Sequence, residues 1–150
     1  VIQAEISDGV MHSRTIFNQK GKFYLIHDAV YSKDIHEYSW RVHFDGIAEK
    51  TGDFAVYKAP MGASLALYMA GPAPLILGKG ETIVYSEETG LSSRPVTRAM
   101  VDTRAADMSF TCLLVPFKGK MPEIGLYTEN AKDKTFVRVK LDDNSYNIEI

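Results

Sequence analysis

Hydrophobic and polar residues alternate with period two along nearly the whole chain, and Val, Ile, Thr, Tyr and Phe are frequent in the alternating segments. This period is typical of β-strands that are half buried. No stretch of ten residues keeps a helical stripe between capping residues, so the pattern predicts an all-β chain. The predicted strands cover residues 1–7, 10–18, 22–30, 36–45, 53–59, 63–70, 74–78, 81–87, 95–102, 107–117, 123–128, 134–141 and 144–150.

Short strands of this number favour two packed antiparallel sheets, because a single sheet would leave one hydrophobic face in water. We therefore expect a two-sheet antiparallel β-sandwich of about 12 to 13 strands. The strand signal is weakest over residues 71–80 and 87–95, where Pro, Gly and Ser predict long loops at one end of the sandwich.

The length and composition indicate one folded domain over residues 1–150. A chain of 150 residues has room for a single core, and 45% hydrophobic with 24% charged residues exclude wholesale disorder. No apolar stretch approaches the roughly 20 residues of a membrane span. The chain starts at Val1 with no initiator Met and no signal-like segment, so we interpret it as part of a longer polypeptide.

Charge and cysteine content narrow the functional classes further. Seventeen basic and nineteen acidic residues give a net charge of −2, which argues against a nucleic-acid-binding domain. The lone Cys112 excludes an internal disulfide and a cysteine-based metal site, and it is interpreted as a buried small hydrophobe. The cationic residues of the last third are interpreted as solvated strand ends and faces, with a polyanion-binding groove as the alternative: Lys118, Lys120, Lys132, Lys134, Arg138 and Lys140.

Motifs for most enzyme classes are absent from the sequence. There is no phosphate-binding Gly-rich loop before a helix, no Gly-x-Ser-x-Gly and no His-Glu-x-x-His. The distinctive feature is that all four histidines lie within the first 43 residues: His12, His27, His36 and His43.

The segment 18–22 has the form of a three-residue hairpin loop closed by Gly21. If Asn18 faces Lys22, His12 lies directly opposite Asp28 with Cβ atoms about 5 Å apart. An imidazole and a carboxylate at this separation can share a metal ion, although a simple hydrogen-bonded pair is the alternative. His27 points to the other face and is interpreted as a core or interface histidine.

The next strand brings His36 and His43 into range on opposite faces, so at most one of them joins His12 and Asp28. Two histidines, one carboxylate and water fit a tetrahedral zinc site or a related divalent metal. On the same strand Tyr38 and Trp40 share a face with Val42 and Phe44. That stripe is interpreted as sandwich core, with a sugar-stacking platform as the alternative.

Three segments together resemble the start of the C-terminal β-sandwich of the heparinase II/III-like polysaccharide lyases. Met11–Phe17 opens with a His and an Arg, Gly21–Asp28 is an aromatic-rich strand ending in Asp, and His36–Phe44 has a His-aromatic-Trp-His pattern. Farther on, Phe110–Pro116 is similar to a strand of the family that ends in Pro.

The resemblance implies a bacterial lyase built from an α/α toroid followed by a β-sandwich, with an acidic polysaccharide held between them. Such enzymes cleave uronic-acid-containing polysaccharides by β-elimination and work in the periplasm or outside the cell. The uronate carboxylate is neutralised, a base removes the C5 proton and an acid protonates the departing O4. This chain would supply only the second part, inactive alone.

By position, the resemblance assigns His12 and Asp28 as metal ligands, with His43 as the preferred third ligand and His36 as the alternative. The expected ion is zinc. Members with a catalytic histidine in the sandwich can carry it two residues before the metal His, where this chain has Val10. The catalytic residues are therefore unassigned. The alternative function is a non-catalytic carbohydrate-binding sandwich that uses Tyr38, Trp40 or other exposed aromatics, and a third is a purely structural module.

Overall fold

A computed structural model describes residues 2–7, 9–59, 62–88, 90–131 and 134–150. Within these ranges the chain forms thirteen strands and no helix, which confirms the all-β prediction. The strands are β1 Ile2–Ser7, β2 Val10–Gln19, β3 Phe23–Tyr31, β4 His36–Phe44, β5 Ala48–Thr51, β6 Phe54–Lys58, β7 Ala63–Ala70, β8 Ile76–Ser86, β9 Gly90–Ala105, β10 Met108–Lys118, β11 Ile124–Ala131, β12 Lys134–Leu141 and β13 Asn144–Glu149.

The strands form three antiparallel sheets. The central sheet has seven strands in the order β1-β2-β3-β10-β7-β6-β5, and two smaller sheets have the orders β4-β9-β8 and β11-β12-β13. The sandwich prediction is thus confirmed, with the strands divided among three sheets instead of two.

Both faces of the central sheet are buried. On one face, Trp40 of β4 and Val101 of β9 pack with residues of the central strands such as Leu67 and Phe110. On the other face, Val137 and Val139 of β12 pack against the central strands. A sheet covered on both faces needs apolar residues at consecutive positions. The run Phe110–Val115 on β10 supplies them, and Cys112 within it is fully buried, as predicted.

The chain departs from the predicted boundaries most clearly at β8 and β9. Residues 71–80 and 87–95 were expected to hold a short strand and loops, but β8 is one continuous strand from Ile76 to Ser86 and β9 begins at Gly90. The glycines of β8 are not turn residues. A Cβ on Gly78 would lie 2.8 Å from the Met100 methyl, and one on Gly80 would lie 2.6 Å from Arg98 Nε. The lack of a Cβ at these two glycines therefore leaves room for the side chains of Met100 and Arg98 on β9.

The short strand β5 was not predicted. It pairs with β6, with Ala48 opposite Tyr57 and Thr51 opposite Phe54, and its residues Glu49, Lys50 and Thr51 are exposed. Because β5 has only one buried residue, it shows no alternation of hydrophobic and polar positions from which the strand could be predicted.

No helix in the described part of the chain is long and apolar enough to cross a membrane.

Candidate functional site around Asp28

The hairpin of β2 and β3 places the candidate site on the central sheet. The backbone N–H of Lys22 donates to the Gln19 carbonyl at 2.9 Å, and Gly21 takes the left-handed conformation with φ of 75° that this turn requires. The loop is therefore Lys20–Lys22, with Gln19 opposite Phe23 and Asn18 opposite Tyr24. The predicted pairing of Asn18 with Lys22 is wrong by two residues.

A shift of two residues keeps every side chain on its face of the sheet. For this reason His12 and Asp28 still meet, although diagonally: His12 lies opposite Val30, and Arg14 lies opposite Asp28. His12 Nε2 is 2.8 Å from Asp28 Oδ1. The structure thus brings together the two residues that the sequence selected, and it adds Arg14 between them.

Asp28 is buried, with 2% of its surface exposed, and both of its oxygens are bound by nitrogen donors. Arg14 donates from Nε to Oδ1 at 2.6 Å and from Nη2 to Oδ2 at 3.0 Å. Trp40 reaches across from the sheet of β4 and donates its indole N–H to Oδ2 at 3.0 Å. With His12, these bonds supply the four hydrogen bonds that a carboxylate commonly accepts.

These partners decide the charge of Asp28. Burial alone would raise its pKa, but hydrogen bonds from Arg14, His12 and Trp40 and the positive charge of Arg14 outweigh burial, so the pKa of Asp28 is lowered. The same hydrogen bond raises the pKa of Arg14 above its ordinary value, against the opposing effect of burial. The pair is therefore ionised. Because an ionised carboxylate only accepts hydrogen bonds, His12 must carry a proton on Nε2.

The cluster opens onto a concavity of about 310 Å³, whose lining includes His12, Arg14, Glu37, Ser39 and Trp40. The side chains of His12 and Arg14 are 26% and 43% exposed. The Asp28 carboxylate thus forms the buried base of the site, and an imidazole and a guanidinium form its solvent-facing part.

The proposed third metal ligands are not in this cluster. His43 is exposed on β4 opposite Arg98 of β9, and strand alternation places it on the face away from Trp40. His36 shares the Trp40 face, but it lies at the start of β4 with its ring 6.1 Å from that of Tyr38.

Among the described residues, no group of three or more His, Cys, Asp and Glu side chains could hold a metal ion. Both oxygens of Asp28 are already engaged by Arg14, His12 and Trp40. The set of His12, Asp28 and His43, or His36 in its place, therefore does not fit a zinc ion in this arrangement. The binding of a divalent metal stays a prediction.

The remaining residues behave as their patterns indicate. His27 is buried on the other face of β3, where its Nδ1 lies 2.9 Å from the Thr111 hydroxyl, and burial lowers its pKa despite the charge of Asp28. Val10 is 2% exposed and is not among the residues that line the concavity.

Arg14 and Trp40 were not predicted as partners of Asp28. The alternation of β2 could have revealed Arg14, since it lies two residues after His12 and must share its face. The contact of Trp40 with Asp28 depends on how two sheets pack, which no local pattern encodes.

Comparison with solved structures gives high likeness over almost the whole chain. A heparinase III with methylated lysines matches with a TM-score of 0.81 at 11% identity, over 99% of this chain and 24% of that one. The chain shares its fold with heparinase III. Another heparinase III structure matches with a TM-score of 0.77 at 10% identity, over 98% of this chain and 24% of that chain. The heparan sulfate lyase HepC from Pedobacter heparinus matches with a TM-score of 0.77 at 15% identity, over 99% of this chain and 25% of HepC.

The chain spans about a quarter of the length of each of these heparinase III-like structures. No protein-family model matches the sequence, and no curated protein matches it. At 10–15% identity the likeness is one of fold.

Proposed function

We propose that this chain is the β-sandwich of a polysaccharide lyase that cleaves uronic-acid-containing polysaccharide by β-elimination. The observation that carries the proposal is the match of nearly the whole chain to a heparinase III and to a heparan sulfate lyase. The motifs around His12, Asp28 and Trp40 support it independently, because they resemble the same family and their side chains converge in space.

The proposal gives the sandwich a substrate-binding role. Arg14 has five N–H donors and uses two of them on Asp28, so the others can bind a carboxylate or sulfate group at the concavity. The ion pair with Asp28 holds the guanidinium in place before the substrate arrives, which reduces the entropy lost on binding.

His12 adds a second polar group to this wall. With Nε2 directed at Asp28, the imidazole leaves Nδ1 for a hydrogen bond with a sugar hydroxyl. β-Elimination needs a group that neutralises the uronate carboxylate, a base that removes the C5 proton and an acid that protonates the departing O4. A further domain of the same polypeptide, an α/α toroid, would supply the base and the acid, and the chain alone would be inactive.

The alternative function, a carbohydrate-binding module that stacks sugars on Trp40, lacks its platform. Trp40 is 7% exposed and lies in the core between two sheets, and the Tyr38 hydroxyl donates to the Ala106 carbonyl at 3.2 Å. The Trp40 ring therefore presents no open face, and Tyr38 is half-buried.

The lyase proposal includes a bacterial origin and a periplasmic or extracellular location for the protein.

Isothermal titration of the 150-residue chain with heparan sulfate, heparin and alginate tests the binding role, with uncharged dextran as the control polymer. We expect binding to at least one uronate polymer, no binding to dextran and no ultraviolet absorbance from unsaturated uronate product. Arg14→Gln should weaken the binding, while the exposed Arg104→Gln on β9 should not. Equal behaviour of these two variants, or product formed by the chain alone, would contradict the proposal.

A further inference from the structure

The outer face of the sheet β11-β12-β13 carries an exposed aromatic ring beside unpaired hydrogen-bond donors. In the register of this sheet, Tyr127, Arg138 and Asn147 lie directly opposite one another and form one row across the three strands. The next row contains Gly125, Lys140 and Ser145. These residues are on the face opposite to Val137 and Val139, which are in the core.

The Tyr127 ring lies against the sheet because Gly125 leaves room for it. A Cβ on Gly125 would lie 3.2 Å from Tyr127 Cε2 and 3.5 Å from the Tyr127 hydroxyl oxygen. The ring therefore extends back along β11 to lie beside the glycine, and the Tyr127 residue remains 63% exposed. A flat aromatic ring with one open face suits a pyranose, whose axial C–H groups carry a slight positive charge that the ring face attracts.

Donors border the ring on the side of β12. Arg138 donates from Nε to the Asn147 amide oxygen at 3.1 Å, and within the described part of the chain it forms no ion pair. Four guanidinium N–H donors remain for a ligand. Lys140 lies beside the ring, although it is paired with Glu123 at 2.7 Å.

Acidic residues limit where a negative group can bind. Glu129 and Glu149 lie in the row on the other side of Arg138, opposite Phe136, and Glu149 is paired with Lys134. An anionic group is therefore favoured on the Lys140 side of Arg138 and disfavoured on the Glu129 side. A concavity of about 640 Å³ lies on the Glu129 side of this row and is lined by Glu129, Phe136 and Glu149 as well as by Tyr127, Arg138 and Asn147, so it does not mark the place of the anionic group.

We propose that this face is a saccharide-binding surface, on which a sugar ring stacks on Tyr127 and an acidic substituent of the saccharide binds Arg138. The choice of an acidic saccharide rests on the proposed function, whereas the surface itself stands on these residues alone. It lies on the opposite side of the central sheet from the sheet that carries Trp40, so it is separate from the concavity at Arg14. From the sequence, Arg138 and Lys140 were interpreted as part of a solvated face, with a polyanion-binding groove as the alternative. The proposed surface corresponds to that alternative, but it binds a single acidic sugar unit.

The probe is a heparan sulfate hexasaccharide, titrated by calorimetry into the 150-residue chain, with a neutral cellohexaose for comparison. Tyr127→Ala should weaken the binding about fivefold because the stacking surface is lost, and Tyr127→Phe should keep it because the ring remains. Arg138→Gln should weaken binding of the acidic hexasaccharide about tenfold by removing charge-assisted hydrogen bonds.

Matched controls are the equally exposed Tyr85→Ala on β8, where Tyr85 is 72% exposed, and Arg104→Gln on β9. Both should bind as the parent chain does. The proposal is overturned if Tyr127→Ala and Arg138→Gln bind the hexasaccharide like these controls, or if Arg138→Gln weakens acidic and neutral saccharides equally. These readouts differ from the loss caused by Arg14→Gln, so the two sites can fail separately.

Discussion

The guanidinium of Arg14 lies directly opposite Asp28 across β2 and β3 and binds both of its carboxylate oxygens. Trp40 donates to the same carboxylate from the second sheet. One buried acid therefore joins two strands of the central sheet to the sheet that covers it.

Asp28→Asn should lower the free energy of unfolding by about 3 kcal/mol, because it leaves Arg14 facing a neutral amide that also brings donors. The estimate is at the low end for a buried pair, since the Arg14 side chain is 43% exposed. Urea denaturation monitored by tryptophan fluorescence measures the change. The control is Asp45→Asn, which breaks the exposed pair with Arg94 and should cost less than about 1 kcal/mol. Equal costs would show that the cluster does not stabilise the fold.

Trp40→Phe separates the hydrogen bond of Trp40 from its packing. The phenyl ring keeps an aromatic group in the core but removes the donor to Asp28, which should cost about 1 to 2 kcal/mol. Trp40→Ala also empties the core position and should cost about 3 to 5 kcal/mol. Circular dichroism during urea denaturation reports both variants. A Trp40→Phe variant as stable as the parent chain would mean that the indole N–H contributes nothing.

The buried His27 should make the fold sensitive to mild acid. Burial lowers the pKa of His27 below its ordinary 6.5, so the unfolded chain binds more protons than the folded chain as the pH falls through that range. The associated stability is complete above about pH 6.5 and is lost as the pH falls toward the pKa of the folded state. Thermal melts at pH 7 and pH 5 should show a smaller loss for His27→Gln than for the parent chain.

The matched control for His27 is His43→Gln, which removes an exposed histidine from β4; the loss between pH 7 and pH 5 should be smaller for His27→Gln than for this variant. If both variants follow the parent chain, the acid sensitivity does not come from His27. The lowered pKa of Asp28 acts in a separate range: its contribution is present above its ordinary value of 3.8 and is lost at more acidic pH, so the two residues can be distinguished.

Elemental analysis tests whether the chain binds the predicted zinc ion. Because Arg14, His12 and Trp40 already bind both oxygens of Asp28, we expect less than stoichiometric zinc and a melting temperature that a chelator does not change. One zinc per chain, together with a chelator-induced fall in melting temperature that His12→Ala abolishes, would confirm the sequence-based prediction and require Arg14 to move.

Much of this fold could be predicted from the sequence because strand alternation is a local property. The same alternation placed His12 and Asp28 on one face. This placement is correct although the predicted register of β2 and β3 was wrong by two residues, because a shift of two residues keeps every side chain on its face. The division into three sheets was not predicted, since β11, β12 and β13 alternate like any other strands and nothing local says which face they cover. The predicted break after Gly78, which left Gly80 between two strands, was wrong because the role of these glycines, the close approach of Met100 and Arg98, depends on a partner strand.

The most direct test of the central claim uses the longer polypeptide to which this chain would belong. Expressed with and without residues 1–150, it should be incubated with heparan sulfate, heparin and alginate while ultraviolet absorbance records unsaturated uronate. We predict product from at least one polymer with the sandwich present and none when it is deleted. No product from any of these polymers with the intact polypeptide, or undiminished product without the sandwich, would contradict the account.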